Sequence, residues 1–125
     1  MDKKLVPIDH PLFTKNHTEV LCEDVGLWSY NYNAPHAFQV RTVKGENVLC
    51  NVNFQCGPIK EYGVNGVNNE DLLLMVLTRL EAFQKTKYAC EENTEAIEHL
   101  VSAVRALRKR ADRRKSEGTL NTSKV

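Results

Sequence analysis

The C-terminal half of the sequence carries two long helical patterns separated by the short link KTKYAC, and this arrangement limits the fold more than any other feature. The first pattern opens with Asn68 and Asp71, which predict a capped helix start, and it continues to about Gln84. The second begins at about Cys90 and runs for roughly 25 residues. Because the link is so short, we expect the two helices to pack antiparallel as a hairpin.

Apolar residues recur along both patterns at helical spacing. They are Leu72, Leu73, Val76, Leu77, Leu80 and Phe83 in the first helix, and Ile97, Leu100, Val101, Val104, Leu107 and Ala111 in the second. Around residues 72–77 the first helix is apolar on almost every side, which is more than one partner helix and a small sheet can cover. We therefore expect a homo-oligomer.

The N-terminal half shows the period of two that is typical of strands. HAFQVRTV and NVLCNVNF flank the turn KGEN at residues 44–47, which predicts an antiparallel hairpin. Apolar clusters at residues 20–22 and 25–30 predict one or two further strands or a capping loop, with Trp28 and Tyr30 packed against the hairpin.

The predicted fold class is therefore α+β, with a small antiparallel sheet followed by an antiparallel hairpin of two long helices. At 125 residues we expect one structural domain. Within it we place a sheet region at 1–60, a glycine-containing connector at 61–67, the helical hairpin at 68–116 and a C-terminal tail at 117–125.

Charge is distributed unevenly along the chain. Residues 101–125 hold eight basic and two acidic side chains, so the remainder of the chain is net acidic although the whole carries only +1. This favours local binding of a small anion over contact along a nucleic acid polymer. The sequence contains no CxxC pair, zinc spacing, signal peptide or long apolar run, so we expect no metal site, no membrane span and a cytosolic location.

The stretch GPIKEYGVNGVNNED holds three glycines before a helix, which raises the question of a phosphate-binding loop. It matches neither GxxxxGK[ST] nor GxGxxG, and it ends in acidic residues where an anion would have to bind. We interpret it mainly as a hinge from sheet to helix. The backbone amides of Gln55, Cys56 and Gly57 remain candidates for contact with a ligand at a subunit junction.

The basic end of the second helix is a stronger candidate for anion binding. Arg110 and Arg114 are four residues apart and share a face, with Arg113 near its edge. Guanidinium groups match phosphate with paired donors and stack on purines. A solvated basic face that only suits the helix end is the structural alternative.

Phe83 and Asn93 lie on either side of the short link, so an antiparallel hairpin places them near each other. With a guanidinium from a neighbouring subunit, an aromatic ring and an amide can form an adenine pocket. A place for Phe83 in the hydrophobic core is the structural alternative. No GxSxG, HExxH or CxxC motif points to a catalytic residue, so binding without turnover is the simpler expectation.

The succession FQCGPIKEYGVNG, NNEDLLLMVLTRLEAFQ, CEENTEAIEHLVSAVRALRKRADRR and EGTLNT resembles the phage anti-Thoeris sponge family, whose helical hairpin is shared with anti-CBASS sponges. The resemblance covers residues 54–121. One departure is the tail: Arg114-Lys115-Ser116 leads almost directly into Glu117-Gly118-Thr119, where the family usually has an Arg-Gly-Val segment before the Gly-Thr pair.

This resemblance implies a phage- or prophage-encoded protein of the host cytoplasm that sequesters cyclic ADP-ribose isomers without cleaving them and needs no cofactor. It implies hexamers built from dimers, with pockets between subunits. Phe83 and Arg110 would stack on the adenine, Asn93 would hydrogen-bond it, and Arg114 with Arg113 would hold the pyrophosphate. Some relatives also hold cyclic di- or trinucleotides at separate sites, for which Gln55, Cys56 and Gly57 are the candidates here.

Two rival functions follow from the residues alone. The basic helix end also fits a small nucleic-acid-binding module, whose affinity falls steeply as salt rises. An oligomeric scaffold that binds no ligand is the second rival, and no nucleotide would stabilise it against heat.

Overall fold

The computed structural model describes residues 4–24, 34–118, 120 and 122. Contacts divide the chain into two compact units, Met1–Val67 and Asn68–Val125, which we call the sheet unit and the hairpin unit. The α+β class predicted from the sequence is confirmed. Seven elements follow one another: β1 (Leu5–Pro7), β2 (Thr18–Glu23), β3 (Ala37–Thr42), β4 (Val48–Asn53), α1 (Ile59–Tyr62), α2 (Asn69–Phe83) and α3 (Glu91–Ser116).

The sheet unit contains a four-stranded sheet in the order β1-β2-β3-β4, with each strand antiparallel to the next. The predicted hairpin is present as β3 and β4. Their turn closes through the Thr42 amide, which donates to the Asn47 carbonyl at 2.9 Å, and through Gly45, whose φ of 71° few other residues adopt. A register shift at Val40/Arg41 interrupts the pairing of the two strands.

The two remaining strands were only partly foreseen. β2 covers the apolar cluster at residues 20–22, whereas the interpretation of Trp28 and Tyr30 lies outside the described residues. Strand β1 was not predicted from the sequence. It has three residues and ends in Pro7, which lacks a backbone N–H and therefore suits the edge position that this strand occupies.

Strand β2 buries two carboxylates, a feature that the sequence analysis missed. Glu19, Leu21 and Glu23 alternate along the strand and are all buried. Glu19 accepts from the Arg41 side chain at 2.7 Å and pairs with Lys15 at 2.9 Å. Hydrogen bonds from Lys15 and then Arg41 hold the pKa of Glu19 below its ordinary value, because they favour the carboxylate.

The carboxylate of Glu23 accepts hydrogen bonds from backbone groups. Its Oε1 accepts from the backbone amides of His36 at 2.7 Å and Ala37 at 2.8 Å, where β3 begins. A buried carboxylate is tolerated only when it is hydrogen-bonded. Glu19 and Glu23 therefore tie β2 to its neighbour through side chains as well as through the backbone ladder.

The hairpin unit follows the predicted helical pattern closely. At the start of α2, Asn68 and Asp71 form a reciprocal capping box, in which the backbone amide of Asn68 donates to Asp71 Oδ2 at 2.8 Å. α2 and α3 pack against each other, and among the described residues their buried hydrophobic core is Leu77 and Val104. In the described part of the chain, no helix is long and apolar enough to cross a membrane.

Candidate functional site

The tip of the helical hairpin is built around Gln84, the residue after α2. Its Nε2 donates to the Cys90 carbonyl at 2.9 Å and to Thr94 Oγ1 at 2.8 Å, and its Oε1 accepts from the Cys90 amide at 3.0 Å. Gln84 adjoins Phe83, and Thr94 adjoins Asn93. These bonds therefore hold Phe83 and Asn93 at the same end of the hairpin, as the sequence analysis expected.

The Phe83 ring is half-buried and is contacted by two side chains that the sequence analysis did not single out. Arg79 places its guanidinium carbon 5.1 Å from the ring centroid. Tyr88 meets the ring edge to face, with centroids 6.3 Å apart and ring planes at 84°. A spacing of four residues on a helix predicts the Arg79–Phe83 contact, so that signal was available in the sequence. We call Arg79, Phe83 and Tyr88 the tip cluster.

Three arginines near the end of α3 differ in exposure. Arg110 and Arg113 are exposed, whereas Arg114 is only 5% exposed. One guanidinium nitrogen of Arg114 donates to the Thr122 carbonyl at 3.0 Å, and the Leu120 amide donates to the Arg114 carbonyl at 3.1 Å. Arg114 therefore fastens part of the C-terminal tail to the helix, a role that the sequence analysis did not assign to it.

Within one chain, the basic end of α3 is remote from the tip cluster. Asn93 and Arg110 both lie on α3, and their separation in sequence corresponds to about 25 Å along the helix axis. No side chain spans that distance. A pocket that contains both Phe83 and Arg110 therefore requires a second copy of the chain, which is what the sequence analysis predicted for it.

The glycine-containing stretch is organised by Gln55 and Asn65. Gln55 Nε2 donates to the carbonyls of Gly57 at 3.1 Å and Gly63 at 2.9 Å, while its Oε1 accepts from the Asn65 amide at 3.0 Å. Asn65 in turn exchanges two bonds of 2.8 Å with the backbone of Cys56. The backbone amides of Gln55 and Cys56, both proposed as ligand contacts, are already bonded as well: that of Gln55 donates to the Val67 carbonyl at 2.9 Å and that of Cys56 to Asn65 Oδ1 at 2.8 Å.

Two details of this loop differ from a simple hinge. Residues Ile59–Tyr62 form the single helical turn α1, and Gly63 follows with a φ of 71°. Gly66 passes so close to the preceding chain that an added Cβ would lie 2.5 Å from the Phe54 carbonyl oxygen and 2.6 Å from that of Asn53. The glycine at 66 therefore permits a backbone contact, while the glycine at 63 permits a backbone angle.

Comparison with known proteins decides the family. The model of the Acb2/Tad1 hairpin domain matches residues 46–112, which is more than half of the chain. The chain belongs to this family. It is also 37% identical over 138 aligned positions to Thoeris anti-defense 1 of Bacillus phage SBSphiJ7, an alignment that covers 92% of this chain and 96% of the relative. Both findings confirm the resemblance to the anti-Thoeris sponge family.

The range of the Acb2/Tad1 match separates the predicted site residues into two groups. Phe83, Asn93 and Arg110 lie inside residues 46–112, whereas Arg113 and Arg114 lie just beyond. The three residues proposed to contact adenine thus lie within the matched range, and the two arginines proposed for the pyrophosphate lie just C-terminal to it.

The described residues offer no candidate metal site: no group of three or more His, Cys, Asp and Glu side chains is arranged to hold an ion. The groups available for chemistry at the hairpin are an aromatic pair, an amide and exposed guanidinium groups. These can stack on a planar base, hydrogen-bond its edge and neutralise phosphate charge.

Proposed function

We propose that this chain is a phage-encoded anti-defence protein that binds cyclic ADP-ribose isomers in the host cytoplasm and withholds them from the Thoeris immune response. Family membership and the relative named Thoeris anti-defense 1 support this proposal. The observation that carries it is the geometry of the hairpin. Phe83 is half-buried at the end of the hairpin where Asn93 also lies, held there by the bond between their neighbours Gln84 and Thr94, while Arg110 is exposed at the other end.

In the proposed complex, two copies of the chain enclose one ligand. Phe83 of one copy stacks on the adenine, and Asn93 hydrogen-bonds the edge of the base. Arg110 of the other copy covers the opposite face of the base, since a guanidinium stacks on aromatic planes. Arg113 of that copy, which is exposed, contacts the pyrophosphate through charge-assisted hydrogen bonds. Arg114 joins it by exchanging its bond to the Thr122 carbonyl for the ligand, since its side chain is 5% exposed and already bonded.

Exposed apolar surface on α2 supports the oligomer that this pocket requires. Leu74, Met75 and Val76 are 37%, 60% and 48% exposed in the single chain. Three adjacent apolar residues of this exposure on a helix are costly to leave in water, and a second copy is the partner that a symmetric oligomer provides. We propose a dimer-based assembly, with the hexamer as its expected form. Light scattering at micromolar concentration tests this step, and a monomer would contradict it.

We propose sequestration without turnover because the hairpin offers groups that grip a nucleotide and no nucleophile paired with a base among the predicted site residues. Suppression of a signal requires a dissociation constant on the order of nanomolar, which corresponds to about 12 kcal/mol. Adenine stacking on two sides and several charge-assisted hydrogen bonds in an enclosed pocket are suited to that affinity.

Calorimetry with purified cyclic ADP-ribose isomers tests the proposal. We expect tight binding of at least one isomer and recovery of the intact isomer after the protein is denatured by heat. Absence of binding would refute sequestration, and recovery of a cleaved product would show an enzyme instead. Tighter binding of nucleic acid than of the isomers, with an affinity that falls steeply as the salt concentration rises, would favour the nucleic-acid-binding rival.

The second site for cyclic di- or trinucleotides at Gln55, Cys56 and Gly57 stays a prediction with less support. The Gln55 side chain and the Cys56 amide already bond within their loop. A ligand there would have to replace these bonds. Titration of cyclic dinucleotides into protein saturated with a cyclic ADP-ribose isomer tests the second site, because a separate site leaves its own binding heat.

A further inference from the structure

The tip cluster contains a positive charge that the proposed pocket has not used. Arg79 lies one helical turn before Phe83 and is exposed, with its guanidinium carbon 5.1 Å from the Phe83 ring centroid. Its neighbours at three and four residues along α2 are Met75, Val76, Ala82 and Phe83, none of which carries a charge. No carboxylate in the described part of the chain forms an ion pair with Arg79.

A free arginine on a helix surface gains from extending into water, and holding it over a ring costs side-chain freedom. Contact with the face of Phe83 offsets that cost through the cation–π attraction. The result is a cation held in place beside the ring on which the base is proposed to stack, with its charge not neutralised by the helix that carries it.

The charges around the tip differ between its two sides. On the side of the link, Glu91 and Glu92 occupy the first turn of α3 and the Lys87 ammonium nitrogen lies 5.3 Å from the Tyr88 ring centroid, so charges of both signs are present there. Arg79 lies about 6 Å from Phe83 in the other direction, along the axis of α2. A nucleotide stacked on Phe83 therefore has the Arg79 cation beside the same ring, where the guanidinium can meet its phosphates.

We propose that Arg79 is a further ligand-binding residue, which supplies phosphate-binding charge from the same chain as Phe83. This inference rests on the proposed function. The base stacks on the face of Phe83 that the guanidinium leaves open, and the phosphates reach back to Arg79. The ligand's phosphates are then held from both copies, by Arg79 of the chain that stacks the base and by the basic helix end of its partner.

Calorimetric titration of a cyclic ADP-ribose isomer into the wild-type oligomer, R79Q, R79K and R108Q at several salt concentrations tests this role. R108Q is the matched control, since Arg108 is exposed and lies about 160° around α3 from Arg110. We expect R79Q to bind about tenfold more weakly at low salt, with a flatter salt dependence because one charged contact is lost. R79K should recover most of the affinity, and R108Q should match the wild type.

Three outcomes would overturn the inference. R79Q with wild-type affinity and salt dependence, when the wild type binds, would remove Arg79 from the site and leave the proposed function intact. Tighter binding by R79Q would show that the guanidinium competes with the base for the ring. Absence of binding by the wild type would refute the proposed function and this inference together. Thermal melting of each variant without ligand confirms that folding is unchanged.

Discussion

The sheet unit and the hairpin unit differ in the use of their polar side chains: both bond some of them internally, as with Gln84 and Arg114 in the hairpin unit, but the hairpin unit also leaves exposed guanidinium groups at its candidate site. In the sheet unit, Glu19, Glu23, Gln55 and Asn65 bond to groups of the same unit. In the hairpin unit, Arg79 and Arg110 are exposed, and an aromatic ring beside Arg79 is only half-buried. A loop rich in glycine is therefore not by itself a binding loop, because a hydrogen-bond donor binds a ligand only when no group of the protein already accepts from it.

Removal of Arg110 is the sharpest test of this contrast. Arg110→Ala should weaken binding of a cyclic ADP-ribose isomer at least about a hundredfold, because stacking and charge-assisted hydrogen bonds are lost together. Its thermal stability should match that of the wild type, since the side chain is exposed. Calorimetry and thermal melting measure the two effects. Arg108→Ala is the matched control, and equal affinity in the two variants would contradict a site at the helix end.

A methyl group at Gly66 should damage the sheet unit instead. Gly66→Ala brings a Cβ within 2.5 Å of the Phe54 carbonyl oxygen, which the backbone cannot avoid without shifting. We expect a loss of about 2 kcal/mol in the free energy of unfolding, measured with urea. Gly45→Asn is the control. An added Cβ at position 45 would lie no closer than 3.8 Å to the Arg41 side chain, and asparagine tolerates the positive φ of this residue.

Measuring the ligand affinity of the Gly66→Ala variant extends this test from stability to function. If the chemistry lies on the hairpin, the folded variant should bind a cyclic ADP-ribose isomer as the wild type does at low temperature. A large loss of affinity in fully folded protein would show that the glycine loop contributes to the site.

Removing the hydrogen bonds of Gln84 should have an intermediate effect on stability and on ligand affinity. Gln84→Ala removes three bonds that join the end of α2 to the start of α3, so we expect a loss of about 1 kcal/mol in stability. Affinity for the ligand should also fall, because Phe83 and Asn93 are no longer held together. Gln39→Ala, which removes a single exposed bond to Asn51, is the control and should change neither quantity measurably.

The smallest effect concerns acid sensitivity. Hydrogen bonds from Lys15 and Arg41 hold the pKa of Glu19 below its ordinary value near 4.5. The stabilisation by this carboxylate is therefore fully present above about pH 4.5 and is lost as the pH falls through the folded-state pKa. Glu19→Gln should flatten the fall in unfolding midpoint across that acid range. Glu46→Gln, in the exposed turn before β4, should keep the wild-type acid profile; an identical profile for Glu19→Gln would contradict this role.

Much of the fold could be predicted because its signals are local and repeated. The helical period recurs over both α2 and α3, and Asn68 with Asp71 marks the start of the first. The turn before β4 contains Gly45 and Asn47, residue types that are typical of hairpin turns. In contrast, β1 and α1 are too short to show a period, so nothing in their sequences distinguished them from loop.

The placement of Phe83 and Asn93 at the same end of the hairpin could be predicted from the short link, and the Gln84 bonds agree with it, while the site itself stays a prediction. The contacts around Phe83 were not predicted, although the spacing of Arg79 contained that information. Arg114 was assigned from its helical face alone. The buried guanidinium donates to the Thr122 carbonyl, and the helical pattern does not encode where the tail returns.

The amino-acid sequence by itself predicts the two long helices, the cap at the start of the first and the cluster of basic residues at the end of the second. Each of these features depends on neighbours within about one helical turn. Which polar groups stay available for a ligand depended on the folded chain. Glu19 is bonded by Arg41, and Gln55 by Asn65 and Gly63, all distant in sequence. Hydrogen-bond partners that far apart meet only when the chain folds, so availability is a property of the tertiary structure.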